Sequence, residues 1–444
     1  MVILARKFLS FLGAGSFSNG KGYFDSKYRV KDKIIQTNFV QEALIKGLCG
    51  DWTKNDCAVI FLTKLARETN WENPNNKNGR LKDKLNKLNI NIVEVDICDG
   101  RNDDEIYEIY TKIYDSLDEN DEIIFDITHG FRSIPMLALT VLNYAKVLKN
   151  IKIKGIYYGA FDAKDEEGVT PVFNLSVYDE ILEWSQAVNS FLKYGNSQHI
   201  KEIVDLMNRK HIKDGDKSYI PVRDFADSLN DFTNSIYTCR GKVTDEFINK
   251  SGSNRKSISA AYSRMKEKLD DVVKNDDKSI KPLVPLFEKI KDRTCEFSNS
   301  DNLKTWLAVI RWCIDNNLTQ QAYTALEETV TTYVCKKFNL DETDADIRMN
   351  VATPAIRIKE KITEGKKISL EKWGVKEEYK DKVSYIVENI DDDLVKLTVS
   401  IGSMRNDINH FGFTKNTMNY DDLNRNIAEL YKKFLEYIDR DSKE

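Results

Sequence analysis

The 444-residue chain contains no run of 18 apolar residues, so nothing in it reads as a membrane span. The N-terminal stretch MVILARKFLSFLGAG is apolar, but Arg6 and Lys7 break it where a signal peptide would be uninterrupted. Cysteines are few: seven, at positions 49, 57, 98, 239, 295, 313 and 335, an odd number with no CxxC pair. That excludes a disulfide scaffold and fits reduced thiols in a cytoplasmic protein. Basic residues are not in excess, since 67 Lys and Arg face 71 Asp and Glu for a net charge of −4. No global field therefore draws nucleic acid, and any such partner is held by a local patch.

What is present is globular: 41% hydrophobic and 31% charged residues, with no stretch biased enough for disorder. Length suggests about three domains, and the pattern divides at 1–178, 179–300 and 301–444. The first segment alternates apolar β-rich runs (Phe8–Leu12, Cys57–Thr63, Asn91–Ile97, Glu122–Thr128, Ile151–Tyr158, Val172–Tyr178) with helical patterns (Asn38–Cys49, Arg80–Leu88, Asp103–Leu117, Arg132–Lys149). Continuous apolar strands such as Ala58-Val59-Ile60-Phe61-Leu62 suit a sheet covered on both faces. The alternation predicts an α/β fold with a mostly parallel, Rossmann-like sheet, whose ligands bind beyond the carboxyl ends of the strands. The segment 179–300 predicts a helical connector without visible chemistry, and 301–444 a small helical bundle.

Two loops fall at the expected binding edge. Gly13-Ala14-Gly15-Ser16 follows the first strand, and its glycines allow close approach of backbone N–H groups to a phosphate. It is not a GxGxxG motif, because Ser18 stands where the third glycine belongs and Tyr23–Lys33 reads as extended or hairpin. A nicotinamide or flavin enzyme is thereby disfavoured; a plain tight turn stays open. The second loop, Asp126-Ile127-Thr128-His129-Gly130-Phe131-Arg132-Ser133-Ile134-Pro135, packs polar groups between a buried strand and a helix, a ready anion or nucleotide site. Ser133 suits an N-cap and Pro135 the first turn. Thr128 replaces the second aspartate of the phosphatase pattern D-x-D-x-T/V. Near the C-terminus, Arg405-Asn406-Asp407-Ile408-Asn409-His410 forms an R-x4-H pattern on a helix end. Five helical residues turn through about 140°, so Arg405 and His410 do not stack, and a two-fold partner helix could complete one cleft. A fixed guanidinium with a histidine suits RNA cleavage by its own 2′-hydroxyl. A structural Arg–His pair at a helix end is the competing reading. No His/Cys/carboxylate cluster with metal-ligand spacing lies near the motif.

The segment FDITHGFRSIP resembles the signature of the CRISPR-associated DxTHG-motif proteins, whose N-terminal CARF domain is Rossmann-like. The opening FLSFLGAG and FVQEAL (Phe39–Leu44) are similar to that family's first strand and helix, and RNDINH after LTQQAYTALEETV looks like the R-x4-H site of a HEPN ribonuclease domain. The resemblance implies a homodimer or higher even oligomer of a type III CRISPR ancillary effector. It would bind cyclic oligoadenylate, cyclic tetra-adenylate in first place, across paired CARF domains and then cut single-stranded RNA without a metal. It implies that amides of Gly13, Ala14, Gly15, Ser16 and Gly130 meet phosphates, with Phe131 in the same loop. Thr128, His129 and Arg132 would contact phosphate, ribose or adenine, and Arg405, His410 and Asn406 would be catalytic. The alternatives are a sensor or ring nuclease whose helical domain only dimerises, and an ordinary cofactor enzyme.

Overall fold

The computed structural model describes residues 6–15, 23–74, 76, 79–129, 133–213, 217–241, 257–278, 280–298, 302–366 and 374–443. Ser16, Gly130, Phe131 and Arg132 lie outside the described residues, as do the side chains of Ser133 and Pro135. The chain divides into two compact units, Met1–Glu180 and Ile181–Glu444.

In the first unit the strands are β1 Arg6–Leu12, β2 Ser26–Val30, β3 Lys33–Thr37, β4 Cys57–Leu62, β5 Asn91–Asp96, β6 Glu122–Asp126, β7 Lys152–Gly159 and β8 Val169–Asn174. They form one sheet in the order β3-β2-β8-β7-β6-β1-β4-β5. Pairing is parallel except for the hairpin β2–β3 and the pair β7–β8. The helices are α1 Val40–Leu48, α2 Leu81–Leu85, α3 Asp103–Asp115 and α4 Ser133–Lys149. The apolar runs are continuous because both faces are covered. Phe8, Leu12, Ala58, Ile60 and Leu62 pack with α1 and α2, while Leu9, Phe11, Val59 and Phe61 pack with α3 and α4. This is the mixed, mainly parallel α/β architecture that the strand–helix alternation predicts.

Three local expectations shift. The last strand ends at Asn174, not Tyr178, because the Asn174 carboxamide oxygen accepts from Ser176 N (3.0 Å) and Oγ (2.6 Å) and turns the chain into a helix. The 80–88 helix contracts to the five residues of α2. An unpredicted helical turn at Lys64–Ala66 widens into a π-turn at Arg67–Trp71, and the loop expected at 339–350 contains a second such segment, Ala345–Ile347 and Arg348–Ala352.

The second unit is helical throughout its described residues: α5 Ser176–Tyr194 (which starts in the first unit), α6 Gln198–Lys213, α7 Ile220–Tyr237, α8 Ile258–Val273, α9 Val284–Arg293, α10 Asn302–Asp315, α11 Thr319–Lys337, α12 Thr353–Thr363, α13 Lys380–Asn389, α14 Asp392–Asn409 and α15 Tyr420–Asp441. One apolar core runs through it, and α14 packs against α11, α12 and α15. No helix among the described residues is long and apolar enough to cross a membrane.

Phe8 on the central strand β1 has no exposed surface. Phe8→Ala is expected to destabilise the first unit by about 3–5 kcal/mol, read from the denaturant midpoint of the sheet unit. A loss under about 1 kcal/mol would mean that this face of the sheet is not packed as described.

Candidate functional site

After the edge hairpin β2–β3, the chain adds β4 and β5 on one side of β1, whereas β6 and β7 lie on the other side. The strand order therefore reverses between β1 and β6, and a crevice opens at their carboxyl ends. The loops after these two strands are the two that the sequence singles out, and pairing of Ser10 with Asp126 fixes them side by side.

Asp126 has no exposed surface. One carboxylate oxygen accepts from Ser10 Oγ at 2.7 Å; the other accepts from Thr128 N at 2.9 Å and Thr128 Oγ1 at 2.5 Å. This Asx turn ends β6. The Thr128 hydroxyl in turn accepts from Gly159 N at 2.8 Å, tying the loop to the end of β7. Burial pushes the Asp126 carboxyl up to about 6, against the opposing pull of the Thr128 and Ser10 hydrogen bonds. Burial lowers the neighbouring His129 imidazole to about 4. His129 is thus neutral at physiological pH and suits contact with a base or ribose better than charge pairing with a phosphate.

The His129 ring lies 4.7 Å from that of Tyr23, whose other side meets Phe39 edge-on at 5.8 Å. Backbone amides of Gly13 and Gly15 reach the Tyr23 hydroxyl. Gly13 has to lack a side chain, because a Cβ there would stand 2.3 Å from that oxygen. Carbonyls at the end of β1 and in the loop are also held: buried Gln41 donates to Phe11 O at 3.0 Å and buried Asn70 to Gly13 O at 2.9 Å. The glycine amides thus point at one oxygen, and Tyr23 supplies it.

In the second unit Arg405, Asn406 and His410 lie on or at the end of α14. The Arg405 Nε stands 3.0 Å from Glu327 Oε2 on α11, yet neither atom is hydrogen-bonded. Burial pushes the Glu327 carboxyl up while Arg405 opposes the shift. Asn406 is exposed, and its carbonyl accepts the His410 N–H at 2.9 Å. His410 is the C-cap and is exposed. Asp407, next to them, is buried and accepts from Thr414 Oγ1 (2.5 Å) and Met418 N (3.0 Å), so it anchors the following turn. No group of three or more His, Cys, Asp or Glu side chains that could share an ion occurs among the described residues.

Residues 8–162 match the family profile of the CRISPR system endoribonuclease Csx1, CARF domain. The N-terminal unit is a CARF domain. Residues 180–300 match the profile of the CRISPR-associated protein MJ1674, second domain. The CRISPR-associated protein MJ1674 of Methanocaldococcus jannaschii is 28% identical over 263 residues, which take in 58% of this chain. The match spans only 37% of that relative's length. Both profiles end before the helix that carries Arg405.

Within the CARF domain the structure brings Gly13, Ala14 and Gly15 to the same edge as Thr128 and His129. Tyr23, Asn70, Gln41 and Ser10 complete that edge, and Glu327 completes the surroundings of Arg405; none is legible from spacing, because each arrives from another element. Thr128→Val removes two hydrogen bonds and is expected to cost about 1–3 kcal/mol. Its pH dependence has a definite sign. The folded-state pKa of Asp126 lies above its unfolded value, so its contribution is present at low pH and lost as pH rises through about 6. Loss of the Thr128 hydroxyl raises that pKa further, so the stability gap from the parent protein should be wider at pH 8 than at pH 5. Denaturant titrations at both pH values read it; a gap independent of pH contradicts the placement of the carboxylate.

Proposed function

We propose that the chain is a cyclic oligoadenylate-activated endoribonuclease of type III CRISPR defence. The observation that carries this reading is the match of residues 8–162 to the CARF domain of a CRISPR system endoribonuclease, in a chain whose second unit carries Arg405, Asn406 and His410 at one helix end. The activator would sit at the β1/β6 crevice, its phosphates taking the glycine amides in place of the Tyr23 hydroxyl. Phe131 and Arg132 would complete the contacts from the same loop.

Cleavage would proceed by attack of the substrate's 2′-hydroxyl oxygen on the adjacent phosphorus. The new P–O2′ bond forms as the P–O5′ bond breaks, leaving a 2′,3′-cyclic phosphate and a 5′-hydroxyl. The 2′-hydroxyl proton leaves to a base and the departing 5′-oxygen gains one. Arg405 would neutralise charge growing on the phosphorane oxygens once it turns from Glu327, a contact that no hydrogen bond locks. His410 would move a proton or hold the phosphate in line, and Asn406 would orient one of these groups. DNA lacks the nucleophile.

The homodimer belongs to the same reading. On α4, Met136 (74% exposed), Tyr144, Val147 (83%) and Leu148 form an uncovered apolar stripe that a second CARF domain would cover. The test is cleavage of labelled single-stranded RNA with and without cyclic tetra-adenylate. Cleavage should depend on the activator, persist in EDTA, spare DNA and fall at least about 100-fold in Arg405→Ala and in His410→Ala. Activity that vanishes in EDTA or survives His410→Ala places the chemistry elsewhere. Ring degradation without RNA cleavage favours the ring-nuclease alternative.

A further inference from the structure

Directly after His410 the chain leaves α14 through two successive left-handed residues, Phe411 (φ +55°) and Gly412 (φ +74°). For glycine that conformation is free; for a bulky phenylalanine it costs about 1–3 kcal/mol and persists only where the surroundings enforce it. Here they do. Gly412 N donates to Asp407 O (2.9 Å) and Phe413 N to His410 O (3.0 Å), while the Asp407 carboxylate gathers Thr414, Thr417 and Met418 N, and Thr417 also donates to Gly412 O. The turn so fixed does not bury its aromatic residues. Phe411 and Phe413 are 90% and 87% exposed, with rings near-parallel at 22° and 6.5 Å apart. Between Asp407 and Asp421 no acidic residue occurs, and Lys415, exposed, lies in the same turn.

We infer that Phe411 and Phe413 form a stacking platform for the bases of a single-stranded RNA beside Arg405 and His410. The inference rests on the ribonuclease reading of that site. Two phenylalanine faces offer at most about 300–500 Å², well short of the ~800 Å² per partner of a stable protein interface. They match the size of one or two bases, and a turn carrying lysine but no carboxylate suits the phosphates between them. Stacking is tolerant of base identity, since every base has a π-face. The platform would set where on the strand the scissile phosphate lies, and Phe411 and Phe413 are positioning residues, not catalytic ones.

The test uses the full-length protein with RNA carrying 2-aminopurine, whose fluorescence is quenched by stacking, alongside cleavage kinetics and light scattering. Phe411→Ala/Phe413→Ala should abolish the quench and raise the RNA Kd and KM at least about 5-fold, with kcat changed much less and mass unchanged. Phe413→Tyr should restore quench and affinity where Phe413→Leu does not. Phe413→Ala alone, at a position with ordinary backbone, covers the case in which the double variant fails to fold. Unchanged quench and KM in the alanine variants overturn the platform, as does loss of the oligomer, which would assign these rings to self-association. If the parent protein cleaves no RNA, the ribonuclease reading fails while the quench still decides whether the rings stack on bases.

Discussion

A carboxylate without exposed surface sits between the two central strands of the sheet, and the binding edge takes its form from the way that charge is satisfied. Asp126 draws Ser10 from β1, its own successor Thr128, and through the Thr128 hydroxyl the amide of Gly159 on β7. Three neighbouring strands are thereby locked at their carboxyl ends, where a parallel sheet opens its crevice. A buried acid is expensive, as its raised pKa records, and its hydrogen bonds fix the adjacent backbone in return. His129 directly follows the turn that Asp126 and Thr128 close, and its ring lies against Tyr23.

The second unit repeats the device at a different place. Asp407, buried on the inner side of α14, holds the turn that follows His410 and is itself held below the usual carboxylate range, chiefly by the Thr414 hydroxyl. Arg405 lies against Glu327 of α11, and His410 is exposed at the same helix end. In both units a buried aspartate organises the loop beside the residues proposed to bind or to cleave. On the proposed reading the acid supplies rigidity to groups that would meet a phosphodiester at fixed angles.

Much of the first unit was legible in the residues. Runs such as CAVIFL announce strands buried on both faces, and a polar cluster between such a run and a helix announces the edge where ligands bind. What escaped has one cause: contacts from distant elements leave no periodicity. Tyr23 comes from the segment before the hairpin, Asn70 from a π-turn that no local pattern signals, and Gln41 looks like an ordinary helical residue until Phe11 O is found beneath it. The strand β8 was misplaced because one Asn–Ser turn outweighs the β-propensity of the residues beyond it. In the second unit the R-x4-H spacing marked the helix end, but Glu327, in the middle of an unremarkable amphipathic pattern, gave no sign that it would face Arg405.

The central claim, that the crevice between β1 and β6 is a sensor of cyclic oligoadenylate, is tested most directly by calorimetric titration of the intact protein with cyclic tetra-adenylate. The prediction is saturation at one ring per two chains, with affinity weakened at least about 10-fold when His129→Ala is combined with Arg132→Ala. Absence of binding to any ring size, or an affinity untouched by that double substitution, would contradict it.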